Sequence, residues 1–80
     1  MAIDQELIRY IQDNLIESGD SVSADDPLID LGLLDSVGLM QIMQFVEDQA
    51  GIRIPDTEVT PDNFHSVASI GAMVARLRAT

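Results

Sequence analysis

Few residues in this chain could do chemistry, and Ser36 heads them. It stands at the mouth of an apolar, helix-forming run, LGLLDSVGLMQ over residues 31–41, directly behind Asp35, the one charge in that stretch. A serine hydroxyl becomes a nucleophile when a base is within reach. The chain has no Cys, no Lys and no Trp, and a single His, His65. With no second ligand or nucleophile nearby in sequence, His65 reads as a loop or capping residue. Asp25, Asp26, Asp30 and Asp35 are crowded, but they lack the D-x-D-x-D-G register of a calcium loop, so no metal site is expected. No nucleophile–base pair and no metal constellation emerges, so a non-catalytic protein is expected. Two readings of Ser36 then compete. It is either a helix N-cap, a position serine favours, or a hydroxyl offered to a partner. Gly38 weakens the pure cap reading, because Gly in a helix costs about 1 kcal/mol relative to Ala.

The elements that would position Ser36 follow from apolar spacing. Ile3, Leu7, Ile8, Ile11 and Leu15 recur at helical intervals, which predicts a helix over 4–17 with Asp4 as its cap and Gly19 as its stop. SGDSVSADDPLIDLGLLD is rich in Ser, Asp and Gly, and reads as a long loop pinned by Leu28, Leu31 and Leu34, with one helical turn at Asp26-Pro27. From Ser36 the helical pattern resumes. At about 100° per residue, Leu39, Ile42, Met43, Val46 and Ala50 share one arc, the core stripe. Val37 falls opposite that stripe, near Gln41, Gln44 and Asp48, with Met40 on the flank. Gly51 should end this helix, and Ile52-Arg53-Ile54-Pro55 should run extended, since the residue before Pro disfavours helix. Thr60-Pro61-Asp62-Asn63-Phe64 reads as a cap and a short helix with Phe64 inward. Ser66 then caps a last helix whose Val67, Ile70, Val74 and Leu77 face the core, with Arg76 and Arg78 at its negative end.

Composition narrows the function classes. Eighty residues make one domain, 1–80, because a core of this size cannot be divided and still fold. Hydrophobic content of 46% is ample for that core and argues against disorder. With no cysteine there is neither a disulfide framework nor a thiolate metal site. The start, MAIDQELIRY, is acidic where a signal peptide needs a basic beginning and an apolar run. No apolar stretch approaches the roughly 20 residues of a membrane span. A cytoplasmic monomer without membrane insertion is expected. The net charge is −10, and residues 1–35 carry nine acids against Arg9 alone. Such a field repels nucleic acid and draws basic partners.

Taken together, GLLDS ahead of an amphipathic helix, the acidic first helix, the long loop with spaced leucines, GIRIPD, and a short helix before the last one resemble the acyl and peptidyl carrier proteins over nearly the whole chain. The resemblance implies an all-α fold, a four-helix bundle with a short third helix and a long first loop. It implies that Ser36 accepts 4'-phosphopantetheine from coenzyme A, and that Asp35 contacts basic groups of the phosphopantetheinyl transferase. A chain without Cys cannot form a thioester itself, so a prosthetic group must supply the thiol. A helix N-terminus suits the resulting phosphate.

The pattern departs from the carriers of fatty-acid synthesis. Three residues rather than two separate Gly32 from Ser36, Val37 replaces the usual Leu, and Gly38, Gln41 and Gln44 stand where that type carries acids. GLLDS is more similar to D-alanyl carrier proteins, and TPDNFHSVASI to stand-alone aminoacyl carriers. The expected partners are therefore the transferase, a separate ATP-dependent adenylating enzyme or an acyltransferase as loader, and downstream biosynthetic enzymes. Val37, Met40, Gln41 and Gln44 form the expected docking surface. The alternatives are an acyl carrier of fatty-acid or polyketide synthesis, and an unmodified helical adaptor.

Overall fold

In the computed structural model, residues 3–15, 21–30, 32 and 36–79 are described, and at Ser36 the backbone alone. Asp35, Leu31, Leu34 and Gly19 lie outside the described residues. Three α-helices are present: α1 (Ile3–Tyr10), α2 (Ser36–Ala50) and α3 (Val67–Arg78). Helix α1 packs against both of the others. There is no strand among the described residues, and no helix is long and apolar enough to cross a membrane.

The apolar spacing of the first helix does what it predicts. Leu7 and Ile11 are fully buried, with Ile3, Ile8 and Leu15 packed half-buried around them. Two details differ from expectation. Asp4 is not the cap but sits inside the first turn, where its acid still meets the positive helix end. Its carboxylate lies so close to α3 that a Cβ at Gly71 would collide with it. The helix also does not stay α to residue 17, since Ile11–Leu15 widens into a π-type turn. The Asn14 side-chain amide donates to the Tyr10 carbonyl at 3.1 Å, the carbonyl that an α-helix would give to the Asn14 N–H. Such local competition loosens the regular ladder. A stacked Tyr10–Phe45 pair, with ring centroids 4.3 Å apart, joins α1 to α2.

The long loop is pinned by Leu28, which is fully buried, and stitched down by its backbone. The Val22 N–H donates to Gln12 Oε1 at 2.7 Å. The Leu28 N–H donates to the His65 carbonyl at 2.8 Å, and Ala68 N–H to the Ala24 carbonyl at 2.9 Å. The last bond satisfies one of the N–H groups that a helix start leaves without an internal partner. Ser66 satisfies another: its extended backbone and buried Oγ accept the Ser69 N–H, as the sequence predicts for a cap. Within the loop, the expected turn at Pro27 is closed by Asp30 N–H on the Pro27 carbonyl.

Helix α2 ends at Gly51, whose φ of +66° is the left-handed stop that Gly adopts without penalty. The Glu47 carbonyl takes both the Gly51 and Ile52 N–H groups, and Glu47 Oε2 takes the Ile54 N–H. A short 3₁₀ turn, Asp56–Glu58, then forms after Pro55. The expected short helix at residues 60–64 is a single turn. It has its Thr60 cap, with Asn63 N–H on Oγ1, and one closing bond, Phe64 N–H on the Thr60 carbonyl. It goes no further because the His65 carbonyl is committed to Leu28 and Ser66 turns extended to cap α3. The all-α class stands, with three helices among the described residues rather than four.

Candidate functional site

Ser36 is the first residue of α2, and no acid occupies the first turn of that helix. The positive end of the helix dipole is therefore not neutralised from within the turn. Behind it the core stripe is as the wheel predicts: Ile42 and Val46 are fully buried, and Leu39, Met43 and Ala50 pack half-buried against them. Gly38 is buried. On the opposite side Val37 is 64% exposed and Met40 68% exposed. Gln41 and Gln44 are exposed on the same face, and the Gln44 amide donates to Asp48 at 3.1 Å. The structure thus gathers Val37, Met40, Gln41 and Gln44 into one uncharged outer surface beginning beside Ser36.

Two features of the site were not read from sequence. Ile29, in the loop, is 68% exposed although its neighbour Leu28 is completely buried. The alternation of a buried Leu and an outward Ile before Asp30 was the available signal. Beside it opens a hollow of about 290 Å³, lined by Ile29, Leu39, Val59, Thr60, Pro61 and Phe64. Its walls come from three separate stretches of chain, which no local pattern reveals. Leu39 stands three residues beyond Ser36, so the hollow lies within about one helical turn of the start of α2. His65 is exposed, and its carbonyl enters the bonding to the loop. Among the loop acids, the Asp26 carboxylate accepts the Ser23 N–H. Among the described residues no group of three His, Cys, Asp or Glu converges as metal ligands would.

This chemistry fits a phosphodiester-linked arm. A hydroxyl-bearing residue opens a helix of fifteen residues, the helix end favours an anion, and no first-turn carboxylate opposes it. An open apolar hollow and an uncharged flank adjoin the same end.

Comparison with known proteins points the same way. Residues 5–77 match the family described as the phosphopantetheine attachment site. The chain is 28% identical over 78 residues to a "Probable acyl carrier protein PigG" of Serratia sp., covering 96% of this chain and 90% of the relative. It is 34% identical over 64 residues to aminoacyl carrier protein 2 of Bradyrhizobium diazoefficiens, covering 80% and 68%. To the D-alanyl carrier protein of Streptococcus sanguinis it is 31% identical over 78 residues, covering 98% of each. Among solved structures, it is similar to a carrier chain in the crystal structure of the Bradyrhizobium japonicum glycine:carrier protein ligase complexed with glycylated carrier protein. The TM-score there is 0.71 at 30% identity, over 89% of this chain and 92% of that one. With its helices, its serine at the start of α2 and a match over nearly its full length, this chain belongs to the phosphopantetheine attachment-site family, the carrier proteins whose prosthetic group is 4'-phosphopantetheine.

Proposed function

We propose that this protein, as a single domain over residues 1–80, carries an aminoacyl group on 4'-phosphopantetheine attached to Ser36. The observation that carries the reading is the position of Ser36, the first residue of α2 inside the matched span 5–77. The prosthetic group supplies the thiol that holds the cargo as a thioester, which a chain without cysteine cannot provide. The chain's own contribution is to hold and present. Ser36 offers its hydroxyl, and the transferase activates it, so no base from this chain is needed. The start of α2 favours the phosphate electrostatically. Asp35 cannot help an anion next to it, and instead is read by basic groups of the transferase. Val37, Met40, Gln41 and Gln44 meet the partner enzymes. The protein itself catalyses nothing, and acts as a monomer in the cytoplasm.

The cargo reading draws on the aminoacyl and D-alanyl carriers among the relatives and on the glycine ligase bound to the structural neighbour. It also draws on the uncharged outer face of α2, which offers nothing to enzymes that dock through basic contacts. The loader is then a separate ATP-dependent adenylating enzyme, and downstream biosynthetic enzymes receive the cargo. A second reading, a stand-alone acyl carrier, is favoured by the Serratia relative and by an apolar hollow that an aliphatic chain could fill.

The test begins with the unmodified protein, coenzyme A and a broad-specificity phosphopantetheinyl transferase, followed by mapping of the modified peptide. One arm should appear on Ser36 and none on Ser36→Ala. An arm that persists in Ser36→Ala, or never appears, removes the carrier role from this residue. The modified protein is then offered ATP, an amino-acid panel and an adenylating ligase, and separately malonyl transferase. Efficient malonyl loading without ATP-dependent aminoacylation would select the second reading.

A further inference from the structure

The hollow beside α2 has an apolar lining and a solvent-facing rim with no obvious structural task. Thr60 is its one polar side chain, and that hydroxyl oxygen accepts the Asn63 N–H at 3.2 Å. The Thr60 carbonyl is likewise committed, to the Phe64 N–H. A guest with a polar or charged end would therefore find poor company there. At the rim, Ile29 is 68% exposed, and on the adjoining face of α2 Val37 and Met40 are 64% and 68% exposed. In a chain of net charge −10, these positions and Gln41 and Gln44 carry no charge at all. Concave and convex apolar surfaces thus lie together at the end of the helix where partners must approach.

The cargo is the first candidate to fill the hollow, and its chemistry argues against it. An aminoacyl thioester carries an ammonium one bond from its carbonyl. Burying that charge without a partner costs several kcal/mol, and the hollow presents no carboxylate among its lining residues. A cavity near 300 Å³ lies at the lower end of ligand pockets, and one large apolar side chain suits it better. Binding energy at protein interfaces concentrates in such anchors set in desolvated pockets.

We propose that the hollow receives an uncharged, apolar side chain from the adenylating enzyme that loads this carrier, with Ile29 as the rim residue that grips it. The inference rests on the aminoacyl reading given above. It extends the docking surface from the face of α2 across to the loop, and it makes loading insensitive to salt, because no charge pair is involved.

Methyl NMR on the Ser36-modified protein tests this, with Ile29, Leu39 and Val59 as reporters. The arm is attached by the transferase from coenzyme A, from glycyl-coenzyme A or from octanoyl-coenzyme A, and the glycine:carrier protein ligase of the solved complexes is then added. Adding the ligase should shift all three reporters, whereas the glycyl arm alone should leave them in place. Ile29→Glu, at an exposed position, should keep its melting temperature while raising the KM for ligase-catalysed glycylation by about 5- to 30-fold. Val59→Phe, which fills the hollow from inside, should raise KM in the same way, with its melting curve showing that it folds. The wild-type KM should change little between low and high salt.

Reporter shifts caused by the glycyl arm alone would assign the hollow to the cargo and overturn the proposal. So would ligase-induced shifts confined to Val37 and Met40, or an unchanged KM in Ile29→Glu. The octanoyl arm separates an apolar cargo site from a protein site: shifts with octanoyl and none with ligase give the hollow to an acyl chain. Mass spectrometry keeps the two levels apart. A modified protein that is never glycylated removes the aminoacyl reading and this inference with it. Normal glycylation with silent reporters removes this inference alone.

Discussion

The outer face of α2 and the stretch between α2 and α3 use their side chains in opposite ways. Between the helices nearly every polar side chain with a described contact is bound within the chain. Glu47 holds the Ile54 N–H, Thr60 holds Asn63, and Asn63 reaches back to both the carbonyl and the carboxylate of Glu58. Arg76 of α3 closes the group by pairing with Glu58, and Ser66 caps α3. Phe64, at 2% exposure, is the apolar anchor of the same stretch. On α2 the outward Val37 and Met40 are largely exposed. Folding can explain the first region entirely. It cannot explain large apolar side chains left in water beside Ser36, so their use is expected to be intermolecular. Exposed apolar residues taken singly carry little meaning. Here they cluster at the start of a helix, next to a hollow and a candidate attachment residue.

The contrast is sharpest if stability and loading respond to different substitutions. The largest effect is expected for Phe64→Ala, which empties a core position and the wall of the hollow at once. A buried Phe truncated to Ala costs about 3–5 kcal/mol, which in a domain of this size lowers the melting temperature by roughly 12 °C or more. A drop of only a few degrees by calorimetry would mean that the segment around residue 64 is looser than its contacts indicate. Next in size come Val37→Ala and Met40→Ala. Each should weaken ligase-dependent loading of the modified protein by about 1–2 kcal/mol in kcat/KM, while stability stays within about 0.5 kcal/mol. If either variant melts early, that residue belongs to the structural region and the contrast fails there.

Ser66→Ala removes a cap from the structural region, and about 1 kcal/mol of stability should go with it. Urea unfolding would register this as a lower midpoint at constant slope, and modification at Ser36 should proceed as in the wild type. Arg76→Ala should do least. The pair with Glu58 is partly open to water, the Arg side chain being 54% exposed, and pairs of that kind contribute under about 1 kcal/mol. A larger loss in urea unfolding would show that Arg76, Glu58 and Asn63 act as a unit, which a double variant with Asn63→Ala would resolve as non-additivity.

How much of this was legible beforehand depended on how local each feature is. Helical periodicity is a property of neighbouring residues. The buried faces of α1, α2 and α3, the outward turn of Val37 and Met40, the Gly51 stop and the Ser66 cap all followed from spacing and residue type. The place of Ser36 at the start of α2 followed in the same way. Asp35, the other half of the motif, lies outside the described residues, and its role stays with the family resemblance.

What the sequence by itself determined, then, is where helices form, which side of each is apolar, and which serine opens the middle one, because these depend on interactions within a few residues. Only tertiary structure decided where the helices stop and what lies between them. The turn at residues 60–64 does not grow into a helix because the His65 carbonyl is taken by Leu28, thirty-seven positions earlier. The exposure of Ile29 and the hollow beneath it exist because the loop, α2 and the segment before α3 meet there without filling the space between them. A periodic pattern describes one element against a generic core. It has no term for the gap left where three elements converge, and that gap depends on side-chain shapes brought together from across the chain.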